Sequence, residues 1–334
     1  MQQKQKGFSA VEFILILLVI TAIGLVGWYV YSKQNKDTVD PNNTTSESSN
    51  TTELETAASQ KGDYNWSTSP QGPYHDKVSY ATSTDLLNWT DSGITIAEHA
   101  SVPDVINKDG VLYAYYVDTT TDNLPEQIAL ITSSDNGVTW SEKQLITIKG
   151  ADVATIVPVD PDPFLLPDGR IRIYYFDISV REQKGQTKNK IYSAVSDDGL
   201  TFTQEDGVRF EESSIYDPDV IKVGDTWHLY VGDPEGQKVI SATSTDGLNF
   251  EKEGTAYSGS AVPNAFYANN QYYLYTAGIQ IATSTDGTNY NKVSQDFRSS
   301  NGLTADPGVV QLNDGTYFMI YKTSDQKPQS LPAQ

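Results

Sequence analysis

The chain has 334 residues, 38% hydrophobic and 11% aromatic, with 21 Tyr, no Cys and a formal net charge of −20. The absence of cysteine excludes disulfides, thiolate zinc sites and cysteine nucleophiles. The acidity leaves no basic face to neutralise phosphates and so excludes nucleic acid as a partner. Abundant Tyr, Thr, Val and Asp, with few long periodic apolar runs, favour β structure for most of the chain.

The first element is apolar. Residues 13–31 carry no charge over 19 positions, which at roughly 1.5 Å per residue spans about 28 Å of hydrocarbon and predicts a transmembrane helix. Lys4 and Lys6 precede it and a charge-balanced polar stretch follows, placing the N-terminus inside and the bulk of the chain outside. The junction Lys6-Gly7-Phe8-Ser9-Ala10-Val11-Glu12 resembles the class III signal of type IV pilins and pseudopilins. That resemblance implies cleavage after Gly7 by a prepilin peptidase, Phe8 as the new N-terminus, Glu12 paired with an N-terminal amine, and pilin-like subunits as partners. An uncleaved signal anchor is the alternative, and a carboxylate this close to hydrocarbon calls for pairing or an interfacial position in either case. Segments 1–7 and 8–32 are therefore expected to be leader and membrane or pilin-like helix, with the remainder tethered outside the cytoplasm at a membrane or cell surface. Residues 33–74 begin rich in Ser, Thr, Asn and Glu and almost without aromatics, a composition that reads as a disordered linker.

From residue 75 to 325 two segment types alternate. One is a strand end, an Asp-containing turn and an aromatic. It occurs at Thr82–Trp89, Ser133–Trp140, Ser196–Phe202, Thr243–Phe250 and Thr283–Tyr290. Asp bonds its own backbone in such turns and Gly, present in four of the five, accepts positive φ. The other is an Asp- or Val-Pro start, an apolar strand, a polar turn and an aromatic strand, found at 102–118, 160–177, 217–233, 262–278 and 306–322. If each hairpin supplies strands A and B of a four-stranded blade, and each turn joins C to D, the repeats predict an all-β, five-bladed propeller. The order then closes the ring with both ends of the domain: strands C and D of the fifth blade come first, and A and B come last, leaving 326–334 as a tail. Such closure hides the final sheet edge.

The repeats divide the acids into two sets. Asp85, Asp135, Asp198, Asp246 and Asp286 sit in the C–D turns, where bonding turn backbone is their role, and the aromatics that follow wedge between blades. The second set faces the channel mouth. Asp104, Asp162, Asp219, Asn264 and Gly308 correspond to one another, with Asp160, Asp217 and Asp306 two residues earlier. Carboxylates converging on one axis repel, which raises some pKa values unless a cation or donor lies among them. The pattern suits acid/base catalysis, a metal site or polyol binding, and equally an Asp that starts each strand by bonding the adjacent blade.

The Asp160-Pro161-Asp162-Pro163-Phe164 and Asp217-Pro218-Asp219-Val220 starts, and turns such as Ala81 to Thr90, resemble those of five-bladed glycoside hydrolases: the arabinanases and β-xylosidases of family 43, invertases, levansucrases and related phosphorylases. The resemblance covers about 75–325. It implies a glycan-acting domain in which Asp104 is base or nucleophile and Asp162, or its neighbour Asp160, tunes pKa. The third catalytic place, a Glu in that family, is held here by Asp217 and Asp219, with Glu212 and Glu235 as the nearest substitutes. Asp160, Asp217, Asn264, Asp306 and the B-strand ends Asp118, Asp177 and Asp233 are candidates for binding sugar hydroxyls. A noncatalytic carbohydrate- or protein-binding propeller, an adhesin or minor pilin tip, is the alternative. No cofactor is required. His75, His99 and His228 are too scattered for zinc, and calcium on channel carboxylates is compatible with the ligand type although no EF-type loop is present.

Overall fold

The structure, a computed structural model, describes residues 65–69, 72–122, 124–151, 157–178 and 188–324. Gly7, Phe8, Glu12, the apolar helix, the linker up to residue 64 and the 326–334 tail lie outside these residues. Among the described residues no helix is long and apolar enough to cross a membrane.

Five sheets, antiparallel except where Thr147–Lys149 pairs parallel with Thr201–Gln204, form the blades of a propeller. Blade one comprises Ala100–Lys108, Val111–Asp118, Gln127–Ser133 and Gln144–Leu145. Blade two comprises Pro158–Leu165, Ile171–Asp177, Asn189–Ser196 and Thr201–Gln204, extended by Thr147–Lys149 and Phe210–Glu212. Blade three runs Tyr216–Val223, Thr226–Asp233, Lys238–Ser244 and Glu251–Ser258. Blade four runs Asn264–Ala268, Gln271–Thr276, Gln280–Ser284 and Asn291–Asp296. The fifth blade joins the two ends: Leu303–Gln311 and Tyr317–Ser324 pair onward to Asp76–Ser83 and Trp89–Glu98. Thr82 pairs with Phe318 and Asp76 with Ser324, so the ring is closed by backbone hydrogen bonds.

The C–D turns repeat one local solution. In the third blade Ser244 Oγ donates to Asp246 Oδ1 at 2.8 Å and accepts the Gly247 N–H at 3.0 Å. Asp246 Oδ1 in turn accepts the N–H groups of Leu248 and Asn249 at 2.8 and 2.9 Å. Gly247 has φ of +71°, which is why Gly recurs there. Its place in the fifth blade is taken by Leu86, also left-handed at φ +67° and fully buried.

Each junction between blades carries its own apolar cluster. Tyr115, Leu130, Ile173 and Phe202 fill the first, Phe176, Val220, Trp227 and Phe250 the second. Tyrosines latch four junctions to the turn of the next blade: Tyr115 donates to the Gly199 carbonyl, Tyr174 to Gly247, Tyr230 to Gly287 and Tyr275 to Leu86, at 2.7 to 2.9 Å. The corresponding residue of blade five is Ile320, the cross-strand partner of Gly308. The junction of blades five and one is instead filled by Phe318, packed on Tyr80 and Trp140.

Before blade one, Trp66–Thr68 and Pro73–His75 form 3-10 turns within the stretch read as linker. Trp66 Nε1 donates to the Leu124 carbonyl at 2.9 Å, and Ser67 Oγ to Asp122 at 3.0 Å. These contacts tie the segment to the B–C loop of blade one.

Candidate functional site

Five Xaa-Pro pairs build the channel mouth. Val102, Asp160, Asp217, Val262 and Asp306 all adopt left-handed backbone, with φ between +45° and +61°, and each precedes a proline. In four blades the pairing register jumps across this dipeptide, from Ser101 to Asp104, Val159 to Asp162, Tyr216 to Asp219 and Ala305 to Gly308. The dipeptide is thus a bulge that separates two tiers of side chains. A left-handed conformation is costly for the β-branched Val102 and Val262, and strain of this kind persists where surrounding structure enforces it.

The upper tier lines an open pit with about 280 Å³ of empty space that runs into solvent, together with the five prolines, Asp104 and Asn264. Asp162 and Asp219 lie below it, each 3% exposed. The sequence-level candidates therefore fall into two groups: Asp160, Asp217 and Asp306 at the mouth, Asp162 and Asp219 at its floor, with the half-buried Asp104 reaching both.

The floor is stitched from blade to blade. Asp219 accepts the Ala265 N–H at 2.9 Å and the Asn264 side-chain amide at 2.7 Å, and Asn264 accepts the Val309 N–H at 3.0 Å. Each thus receives the N–H that follows the next blade's floor residue. Asp104 cannot do so, because the corresponding residue of blade two is Pro163, which has no N–H. Its Oδ1 turns back to its own neighbour, the Val105 N–H. On its other side stands Gly308, where a Cβ would come within 2.7 Å of the Asp104 Cα. Asp104 therefore occupies a gap made by a proline on one side and a glycine on the other.

Carboxylate oxygens of Asp104, Asp162 and Asp219 lie within 4.8 Å of one another. Burial pushes Asp104 up to about 7, against the opposing effects of the Val105 N–H and Asp162. Burial, followed by the negative charges of Asp219 and Asp104, raises Asp162 far above the usual carboxylate range. Asp219 is raised by burial and then by Asp104, and its two donors work the other way. Three acids so placed can store and exchange protons, or surround a cation.

No protein-family model matches this chain, and no curated protein does. Solved structures do match in fold. A GH32 β-fructofuranosidase of Bombyx mori superposes with a TM-score of 0.55 at 16% identity, over 81% of this chain and 61% of that one. An N-acetylgalactosamine deacetylase from F. plautii gives 0.53 at 13% identity, over 70% and 81% of the two chains. A GH43 β-xylosidase/α-arabinofuranosidase from a compost microbial metagenome, in complex with xylotriose, gives 0.50 at 17% identity, over 66% and 84%. The shared architecture is the five-bladed propeller. At these identities the likeness concerns fold.

The remaining candidates are engaged away from the mouth. Asp118 pairs with Lys143 at 2.7 Å, Asp177 accepts the Val157 N–H at 2.9 Å, and Asp233 accepts the Gly236 N–H at 2.8 Å and meets Lys238 at 3.3 Å. Glu212 pairs with Lys252 at 2.6 Å, which holds its carboxyl below the usual range. Glu235 is exposed and accepts the Ser214 hydroxyl at 3.1 Å. None of these five lines the pit. His99 stacks on Tyr74 with ring centroids 3.9 Å apart, and His75 bonds the Ser69 carbonyl at 2.7 Å, so both fasten the segment before blade one. His228 is buried.

Sequence reasoning missed one group at the mouth. Lys322 forms a close ion pair with Asp306 and lies 3.8 Å from Asp76, which also accepts the Ser101 hydroxyl at 2.9 Å. The acids around Lys322, Asp306 foremost, then Asp76 and Asp217, hold it protonated against its burial. A signal existed: at this B-strand position the other blades carry Val117, Phe176, Gly232 and Ala277, so a lysine there is the exception.

Proposed function

We propose that this chain is a tethered, glycoside hydrolase-like propeller that receives the end of a glycan at the mouth, with Asp104 as the acid/base residue and Asp162 as the group that tunes it. The carrying observation is that Asp104 alone of the three floor acids faces the pit and is left out of the blade-to-blade stitching. Its carboxyl, pushed up to about 7, is poised to give or take a proton at neutral pH. The floor acids lie closer together than the roughly 6.5–9.5 Å that inversion needs and nearer the roughly 5–5.5 Å of retention; an inverting reaction would draw its second carboxyl from the mouth tier, where Asp160 and Asp217 stand. Asp306, held by Lys322 behind it, completes a polar rim for hydroxyls. Release of sugar from arabinoside, xyloside and fructoside substrates, abolished in Asp104→Asn, is the expected result. Failure of every substrate in the presence of measurable glycan binding would remove the catalytic half of the proposal.

A second reading, a noncatalytic carbohydrate- or protein-binding propeller, rests on Val102 and Val262. They place apolar side chains where the other blades carry Asp, and no Glu lines the pit. The tether is proposed from the Gly7-Phe8 junction, Glu12 and the apolar run alone, with a membrane, a prepilin peptidase and pilin-like subunits as partners and an extracytoplasmic location. Mass spectrometry of the mature N-terminus tests it: a chain beginning at Phe8 supports pilin-type processing, one beginning at Met1 removes it.

A further inference from the structure

We propose that Lys322 and Asp306 are the precursors of an intramolecular isopeptide bond, formed with the help of Asp76, that joins the two C-terminal strands of blade five. Lys322 lies on Tyr317–Ser324, Asp306 on Leu303–Gln311, and Asp76 opens the strand Asp76–Ser83 that pairs beside them. Lys322 Nζ lies against Asp306 Oδ2 and 3.8 Å from Asp76 Oδ2, and the two acids are only 5% and 8% exposed. Asp306 Oδ2 nevertheless has no partner in hydrogen-bonding geometry. The amine thus touches the carboxyl without the alignment that a charge-assisted hydrogen bond adopts. Val117, Phe176, Gly232 and Ala277, at this position in the other blades, carry no amine, and a chain without Cys has no disulfide to do the same work.

An amine fixed against a carboxyl reacts as part of one molecule, without the entropy cost of bringing two reactants together. The ion pair is the state before closure. One proton passes from Nζ to Asp306, giving a neutral amine and a carboxylic acid. The Nζ lone pair then attacks Asp306 Cγ, and the new N–C bond forms. Asp76 takes a second proton from Nζ and delivers it to the hydroxyl leaving Cγ, so that one C–O bond breaks and a water departs. Two ammonium protons leave in that water, the third stays on the amide, and nothing is oxidised or reduced. The step also removes two buried charges, whose desolvation mutual attraction offsets only in part.

The two acids divide the roles between them. Asp76 Oδ2 accepts the Ser101 hydroxyl at 2.9 Å and stands off from the amine, which leaves Asp306 as the acyl group and Asp76 as the proton carrier. Burial raises the Asp76 carboxyl, with Lys322, Ser101 and Ser324 opposing and the charge of Asp306 adding to it. Burial works against the charge on Lys322, and Asp306, Asp76 and Asp217 more than offset it. The neutral amine is therefore scarce, so closure is slow and follows folding. The bond would lock the hairpin whose outer strand closes the ring with Asp76–Ser83, in the blade where Ile320 replaces the latching tyrosine. Nothing in this proposal requires that the mouth cleave, or even bind, a glycan.

Mass spectrometry of the full-length chain, purified in detergent, tests the bond. Trypsin acting on the denatured chain cuts after Arg298 and Lys322, and no Lys or Arg lies between them. An amidated Lys322 is not a trypsin site. The expected product therefore begins at Ser299, runs on past Lys322 and is lighter by one water, with fragmentation placing the loss across Asp306 and Lys322. Lys322→Arg keeps a cation beside both acids without the reactive amine, and should restore cleavage at position 322 and the full mass. Asp76→Asn should leave most chains unclosed; undiminished closure there would remove Asp76 from the step. A wild-type peptide 299–322 of full mass overturns the bond. One that is a water lighter yet cut after Lys322 overturns it equally, because Asp314-Gly315 can lose water as a succinimide without engaging the lysine. If either variant fails to fold, the wild type decides alone.

Discussion

Tyr230 donates its hydroxyl to the Gly287 carbonyl at 2.7 Å and accepts the hydroxyl of Tyr290 at 2.9 Å, so one phenol joins the inner part of blade three to the turn and the wedge aromatic of blade four. The same latch recurs at three other junctions and is missing between blades five and one, where Ile320 takes the tyrosine's place. Tyr230→Phe leaves a buried carbonyl and a buried hydroxyl short of a partner. It is expected to lower stability by about 1–3 kcal/mol in urea unfolding, with whatever the mouth binds unaffected.

Gly308 is held by its neighbour rather than by its φ. A methyl group there presses on the Cα and side chain of Asp104, and overpacking of this kind costs about 1–3 kcal/mol. Gly308→Ala should therefore lower Tm. Because Asp104 must move, it should also alter whatever the mouth binds, which Tyr230→Phe should not.

Lys322 balances two acids that are themselves buried, Asp306 at 5% and Asp76 at 8% exposure. Removing one partner of a buried pair strands the other charge. Lys322→Met is expected to cost about 3–5 kcal/mol, and Asp306→Asn less, since Asp76 then remains as the lysine's partner. Chemical denaturation of the two variants side by side checks the order.

The C–D turns make acid stability a separate matter from the mouth. Asn88, through its N–H and side chain, and Thr139, through its hydroxyl and N–H, hold Asp85 and Asp135 at about 2, below their ordinary 3.8. A depressed folded-state value means that the unfolded chain takes up protons first as pH drops. The stability these turns contribute is present above about pH 4 and lost as pH falls through about 2. Melting curves between pH 5 and pH 2 should show a falling Tm, and Asp135→Asn should start lower at pH 5 and fall less steeply.

The blade count was legible because its signal is local. Asp246 satisfies N–H groups two and three residues away, so the turn is written in consecutive letters and can be counted five times. Ring closure followed from that count, since the orphan strands at one end complement those at the other. The N-terminal leader and anchor, by contrast, remain expectations of the sequence.

The site was legible only as a list of acids. Asp160 and Asp162 fall into different register sets in the sequence, but only the left-handed bulge at Asp160-Pro161 assigns one to the mouth and the other to the floor. That assignment depends on how a strand pairs after a register jump, and composition does not record it. Nor does the sequence place Lys322 beside Asp306, since their contact arises from two strands meeting at the mouth.

The sequence by itself determined the repeat, the number of blades and the chemistry available, because turns and alternating strands are specified by neighbours along the chain. Only the tertiary structure decided which acids are stitched to the next blade and which is spared. Those choices depend on Pro163 and Gly308, residues of other blades that lack the N–H or the side chain a regular ring would have used around Asp104.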